Sequence, residues 1–226
     1  MGFKTSLFAL APDVPRLDLL NHPEGGPETA RVALERALPG TVGELVETAD
    51  LAEGGYPQRD DLLYVATFGP TTVFGGQEMA QYTDRLRQAA RAAGMQAWEL
   101  NIHSVVDLCQ FEVTGADGQV IRSFNAYSDK DPDDWDVDAV GDPLPFELPY
   151  RAGEHSDAED DDPWPFHPLE LGEAALAWMF GTVGEGAPDD AVQQELGGLR
   201  DPFEIPMHGF AVGGPRPRRL WSRIFR

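Results

Sequence analysis

The sequence predicts an α+β fold, a single domain built on a mainly antiparallel sheet with helices packed on it. Three observations lead there. At 226 residues with 42% hydrophobic content, the chain holds enough apolar material for one sizeable core. Its periodic runs come in the order strand, helix, strands, helix, strands, which places helices against a sheet. The runs "MQAWELNI", "LCQFEVTG" and "QVIRSFNAY" then follow one another, separated only by "HSVVD" and the Asp117-Gly118 turn, as in a three-stranded antiparallel meander.

Taken in order, Phe3 to Leu10 is apolar with little charge and reads as a buried strand. Pro27 near a helix start and Gly40 beyond its end frame a helix from about Glu28 to Leu38. "DLLYVATFGPTTVFGG" reads as two strands around a tight Gly69-Pro70 turn. In "GQEMAQYTDRLRQAARAAG" the apolar residues Met79, Tyr82, Leu86, Ala89, Ala90 and Ala93 recur at helical spacing, with Gly94 as the stop. From Ser128 to Pro165 the chain is rich in Asp and Pro and reads as a long acidic loop, pinned to the domain by the aromatic residues of "DPLPFELPY". "HPLELGEAALAWMFG" resumes as a helix with Pro168 in its first turn, Gly181 after its end, and Leu169, Gly172, Leu176, Met179 and Phe180 facing the core. A shorter helix is expected from about Asp189 to Leu196. The domain therefore spans 1–212, and 213–226 forms a basic, aromatic tail.

Charge is distributed unevenly. The formal net charge is −22, and fourteen acids against Lys130 and Arg151 lie between Ser128 and Asp162. The tail "PRPRRLWSRIFR" carries five arginines and no acid. An acidic body repels nucleic acid and anionic membrane, so no nucleic-acid partner is expected for it. In the tail, Leu220, Trp221, Ile224 and Phe225 share one helical face, so Arg218, Arg219, Trp221, Arg223 and Phe225 are candidate partner-binding residues; a tail folded back on the acidic body is the alternative. No apolar run approaches the eighteen residues of a membrane span, and the start lacks a signal-peptide cleavage site. The single cysteine, Cys109, forms no internal disulfide, which suits a reducing cytoplasm.

Chemistry is concentrated in "NIHSVVDLCQFEV". As one unbroken strand it would put His103 and Asp107 about 13 Å apart at the ~3.3 Å rise of a strand, too far for a dyad. A turn between two strands would instead bring the imidazole near the carboxylate. Ser104 lacks a Gly-x-Ser-x-Gly elbow, and Cys109 reads as a small core residue. The five histidines are widely spread with no metal-ligand spacing, and the acidic run "DKDPDDWDVDAVGD" lacks the turn glycine of an EF-hand, so neither metal nor cofactor is expected.

Four motifs together resemble a known family: "MG-x-KT" with Gly2, Lys4 and Thr5; "HSVVD"; "GDPLPFELPYRAGEH"; and "PFHPLELGEAALAWMFG". The chain is similar to an uncharacterised, mostly actinobacterial family of domains of unknown function, over Met1 to about Phe210. The resemblance implies a bacterial cytoplasmic setting and hands over no catalytic residue; the arginine tail lies beyond it. The leading expectation is a protein that binds another macromolecule, as yet unidentified, through its acidic surface or its tail. The alternative is a hydrolase or transferase whose pocket gathers Lys4, His103, Asp107, Glu154, His155 and His167, with His103, Asp107, His155 and His167 as its catalytic candidates. An immunity or antitoxin-like protein is a special case of the first expectation.

Overall fold

The computed structural model describes residues 4–127, 136–153, 166–184 and 195–212. Among them, nine strands form one sheet in which every pairing is antiparallel. The first half of the chain supplies β1 (Lys4–Ala11), α1 (Pro15–Asn21), α2 (Pro27–Ala37), β2 (Val42–Asp50), α3 (Leu51–Gly54), β3 (Leu62–Phe68), β4 (Thr71–Gly75) and α4 (Thr83–Ala93). The second supplies β5 (Gln96–His103), β6 (Leu108–Thr114), β7 (Val120–Tyr127), β8 (Asp136–Val140), α5 (Glu147–Arg151), α6 (Pro168–Phe180) and β9 (Pro206–Val212). In space the strands run β2-β9-β3-β4-β1-β5-β6-β7-β8. The α+β class is thus observed, and the β5–β6–β7 meander with it.

Local chemistry accounts for the element ends. Gly69 takes φ 54° in the two-residue β3–β4 turn, a left-handed conformation that suits glycine. Gly94 and Gly181 end α4 and α6 with φ of 67° and 65°. His167 caps α6, its side chain accepting from the Leu169 N–H, and Pro168 fills the position where a missing N–H costs nothing.

Helices cover the sheet unequally. On one face α1, α3 and α6 bury Leu19, Leu51, Leu171, Leu176 and Phe180 against Leu7, Tyr64, Leu100, Phe111 and Phe124. On the other, α2 and α4 bury Leu34, Leu38, Leu86 and Ala90 against Phe8, Val65, Phe74 and Phe210. Strand β3 lies under both layers, so all of "LLYVATF" is buried and no alternation is visible. Strand β6 alternates instead: Cys109, Phe111 and Val113 are buried, Gln110 is exposed and Glu112 half-buried. Among the described residues, no helix covers β6 and β7 on the α4 side.

Two further elements stand inside the segment read as a loop, β8 and α5. They are held by a buried ion pair. Arg122 Nε donates to Glu147 Oε1 at 2.8 Å and its Nη2 to Oε2, while Nη1 donates to the carbonyls of Gly141 at 2.8 Å and Val140 at 3.2 Å. Glu147 also accepts from the Leu144 N–H at 2.8 Å and lies close to Arg151. Phe146 of this segment packs on Phe111 and Trp178. Most of the helix expected from Asp189 lies outside the described residues.

Candidate functional site

The segment "HSVVD" resolves into a turn. β5 ends at His103, β6 begins at Leu108, and these two residues pair across the hairpin. Between them Val106 N–H donates to the His103 carbonyl at 3.3 Å, and Asp107 closes the loop with φ 46°, a left-handed conformation that Asp tolerates better than most residues. No hydrogen bond or ion pair joins His103 to Asp107. His103 Nδ1 instead accepts from the Val105 N–H at 3.3 Å, which leaves the proton of the neutral ring on Nε2. The Ser104 hydroxyl is buried with no hydrogen-bond partner, so among the described residues no base stands in reach of it.

His103 sits directly opposite Lys4 on β1. β4 stops at Gly75, opposite Leu7, and beyond that point the chain after α3 takes its place: the Ser6 N–H donates to the Gly55 carbonyl at 2.8 Å. This brings Tyr56 onto the two basic residues. The Lys4 ammonium lies 5.3 Å from the centre of the Tyr56 ring, and the Tyr56 and His103 rings meet edge to face at 6.2 Å. Partial burial, and secondarily the Lys4 charge, hold the His103 pKa below its ordinary value, which favours the neutral ring.

Toward the sheet's interior, a polar network crosses three strands on the same face. Ser6 Oγ donates to Asn101 Oδ1 at 2.6 Å; Asn101 Nδ2 donates to Glu99 Oε1 at 3.2 Å and reaches Gln110 Oε1 at 3.5 Å. Arg87 of α4 lies 2.7 Å from Glu99 and 2.9 Å from Glu112, and Thr114 donates to Glu112. Burial raises the Glu99 pKa against the opposing pull of Arg87. Every member sits at an outward position of an alternating strand or on α4, so the network is a fixed polar surface over β1, β5 and β6.

The remaining candidates fall elsewhere. His167 caps α6 on the opposite face, since Ile102, the neighbour of His103, packs against Gly172 of α6. His103 and His167 are therefore not brought together on one face. Cys109 is fully buried, and burial pushes its thiol pKa up. His208 is buried beside Thr48, and His22 pairs with Asp18 one helical turn away. Glu154, His155 and the tail residues Arg218, Arg219, Trp221, Arg223 and Phe225 lie outside the described residues, as do Gly2 and the first half of the acidic run, 129–135. Among the described residues, no cluster of three or more His, Cys, Asp or Glu could hold a metal ion, and no helix is long and apolar enough to cross a membrane.

Comparison with known families matches residues 5–210 to a family described as a family of unknown function, DUF6928. The chain belongs to this family. No curated protein and no solved structure matches it. The DUF6928 match takes in β1 to β9 almost whole and ends before the arginine-rich tail, so Lys4 and that tail stand outside its limits while Tyr56, His103 and the polar network stand within. The segment "HSVVD" stands at the turn between β5 and β6, where the meander reading expected a break between strands. Sequence reading missed Tyr56, because "EGGYPQRD" carries only turn signals, and it missed Ser6, Asn101 and Gln110. For those three the signal was present: they alternate with Leu7, Leu100 and Phe111.

Proposed function

We propose that this chain is a non-enzymatic binding protein that recognises another macromolecule through the face of β6 and β7 that no described helix covers, together with its acidic surroundings. The observation that carries this reading is the character of that face: Gln110 and Glu112 of β6 are held in a polar network that runs on to β5, β1 and Arg87, and no described helix covers β6 and β7 there. Small-molecule sites are concave and mostly apolar, whereas a broad strand face suits a partner of comparable size. A net charge of −22 selects a partner with a basic surface and speeds its approach. An immunity or antitoxin-like role, in which the partner is a basic toxin, is one form of this reading. The basic tail is a second contact element, acting beside the sheet face.

The test is affinity capture from cells of the source organism with wild-type protein, with a Gln110→Arg and Asn125→Arg double variant, and with residues 213–226 removed. The reading expects one stoichiometric partner whose capture falls with rising salt and is lost in the double variant. Capture unaffected by the double variant, or no partner under any condition, defeats it.

A further inference from the structure

We propose that Lys4, Tyr56 and His103 form a binding site for a monocarboxylate with an apolar body. The inference goes beyond the partner-binding reading and does not depend on it. Lys4 and His103 are direct cross-strand partners, which sets their Cβ atoms about 4.5–5.5 Å apart. Tyr56 closes the third side, with the ammonium 5.3 Å from its ring centre and the imidazole 6.2 Å away. The three supply an ammonium, an N–H at His103 Nε2 and a phenol O–H, all donors toward an oxyanion.

None of these groups has an internal acceptor among the described residues. The chain carries 39 acids against 17 Lys and Arg, yet among the described residues no carboxylate lies within ion-pair distance of Lys4. His103 uses only Nδ1, and the nearest acid in sequence, Asp107, bonds to none of the three. The surrounding negative charge penalises a dianion more than a monoanion, which favours carboxylate over phosphate. Beside the imidazole the β5–β6 turn presents Val105, 61% exposed, with Val106 next to it, an apolar lip for the body of the ligand.

The experiment titrates isotope-labelled protein with sodium benzoate, with benzamide as the neutral isostere and with sodium phosphate, following the His103 ring signals. Benzoate is expected to give a saturable shift below about 50 mM and to raise the His103 pKa, because an adjacent anion favours the imidazolium. Benzamide is expected to give none, and phosphate a weaker response at equal concentration. Lys4→Met should weaken benzoate by about tenfold or more, while Lys4→Arg keeps it within about threefold. Amide signals on β3 and α6 report whether each variant remains folded. The proposal is overturned if benzamide matches benzoate, if folded Lys4→Met binds as wild type does, or if the benzoate response never saturates.

Discussion

Replacing Arg122 by Met should be among the most damaging single changes in this domain. Arg122 is inward on β7, and its guanidinium serves Glu147 twice and two carbonyls of the β8 end, all out of water; Glu147 is 0% exposed. The methionine fills much of the same volume but leaves a buried carboxylate whose described partners are the Leu144 N–H and the more distant Arg151. Breaking one half of such a pair costs about 3–5 kcal/mol. For a domain of this size that is a drop in melting temperature of about 6–20 °C. Glu147→Leu alone strands the guanidinium in the same way. The double variant Arg122→Met with Glu147→Leu strands neither charge and should recover to within about 2 kcal/mol of wild type, since a buried pair replaced by apolar residues is often nearly neutral. Thermal and urea unfolding of the four proteins measure the cycle. A cost below about 1 kcal/mol for Arg122→Met, or a double variant as unstable as the two singles summed, would refute the assignment of this pair as the clamp on α5.

Three other outcomes are expected. A Cβ placed at Gly75 would stand 2.4 Å from the Gly54 carbonyl, so Gly75→Ala must push away the backbone leading to Tyr56, costing about 1–3 kcal/mol in denaturant unfolding and shifting the His103 signals. Cys109 should resist a thiol reagent such as dithionitrobenzoate in the native protein and react once on unfolding; rapid reaction of native protein would contradict its burial. His103, faced by Lys4 and Tyr56, has its folded pKa depressed, so its contribution to stability is present above the unfolded value near 6.5 and is lost as pH falls through the lower folded value. The stability of His103→Gln relative to wild type should therefore rise as pH drops below about 6.5, and a flat difference between pH 7.5 and 5 would show that the ring is unperturbed.

What the sequence disclosed depended on how local the cause was. Turns and helix ends were legible because single residues set them: Gly69-Pro70, Gly94, Pro168 and Gly181 each stand where expected. The inner and outer faces of β6 were legible in "LCQFEV", since one uncovered side permits polar residues at every second position. The placement of β9 was not, because it inserts between β2 and β3, and those pairings join residues some 150 positions apart through patterns that are individually weak. Within the acidic stretch, composition concealed Glu147, a surface charge by type and a core residue in fact. Its partner could have been found, since Arg122 shares strand parity with Phe124 and Ala126 and therefore had to point inward. For the candidate site, His103 and its turn were visible in "HSVVD". The meeting of Lys4 with Tyr56 was not, because it follows from β4 ending early and the chain near Gly55 pairing in its place.

The central claim is that the helix-free sheet face meets a partner. Photo-crosslinking in cells of the source organism tests it directly, with benzoylphenylalanine placed either at position 110 on that face or at position 203, where Phe203 is 70% exposed on the turn before β9. The account predicts a single discrete adduct at 110 and none at 203. No adduct at 110, or the same adducts from both positions, would contradict it.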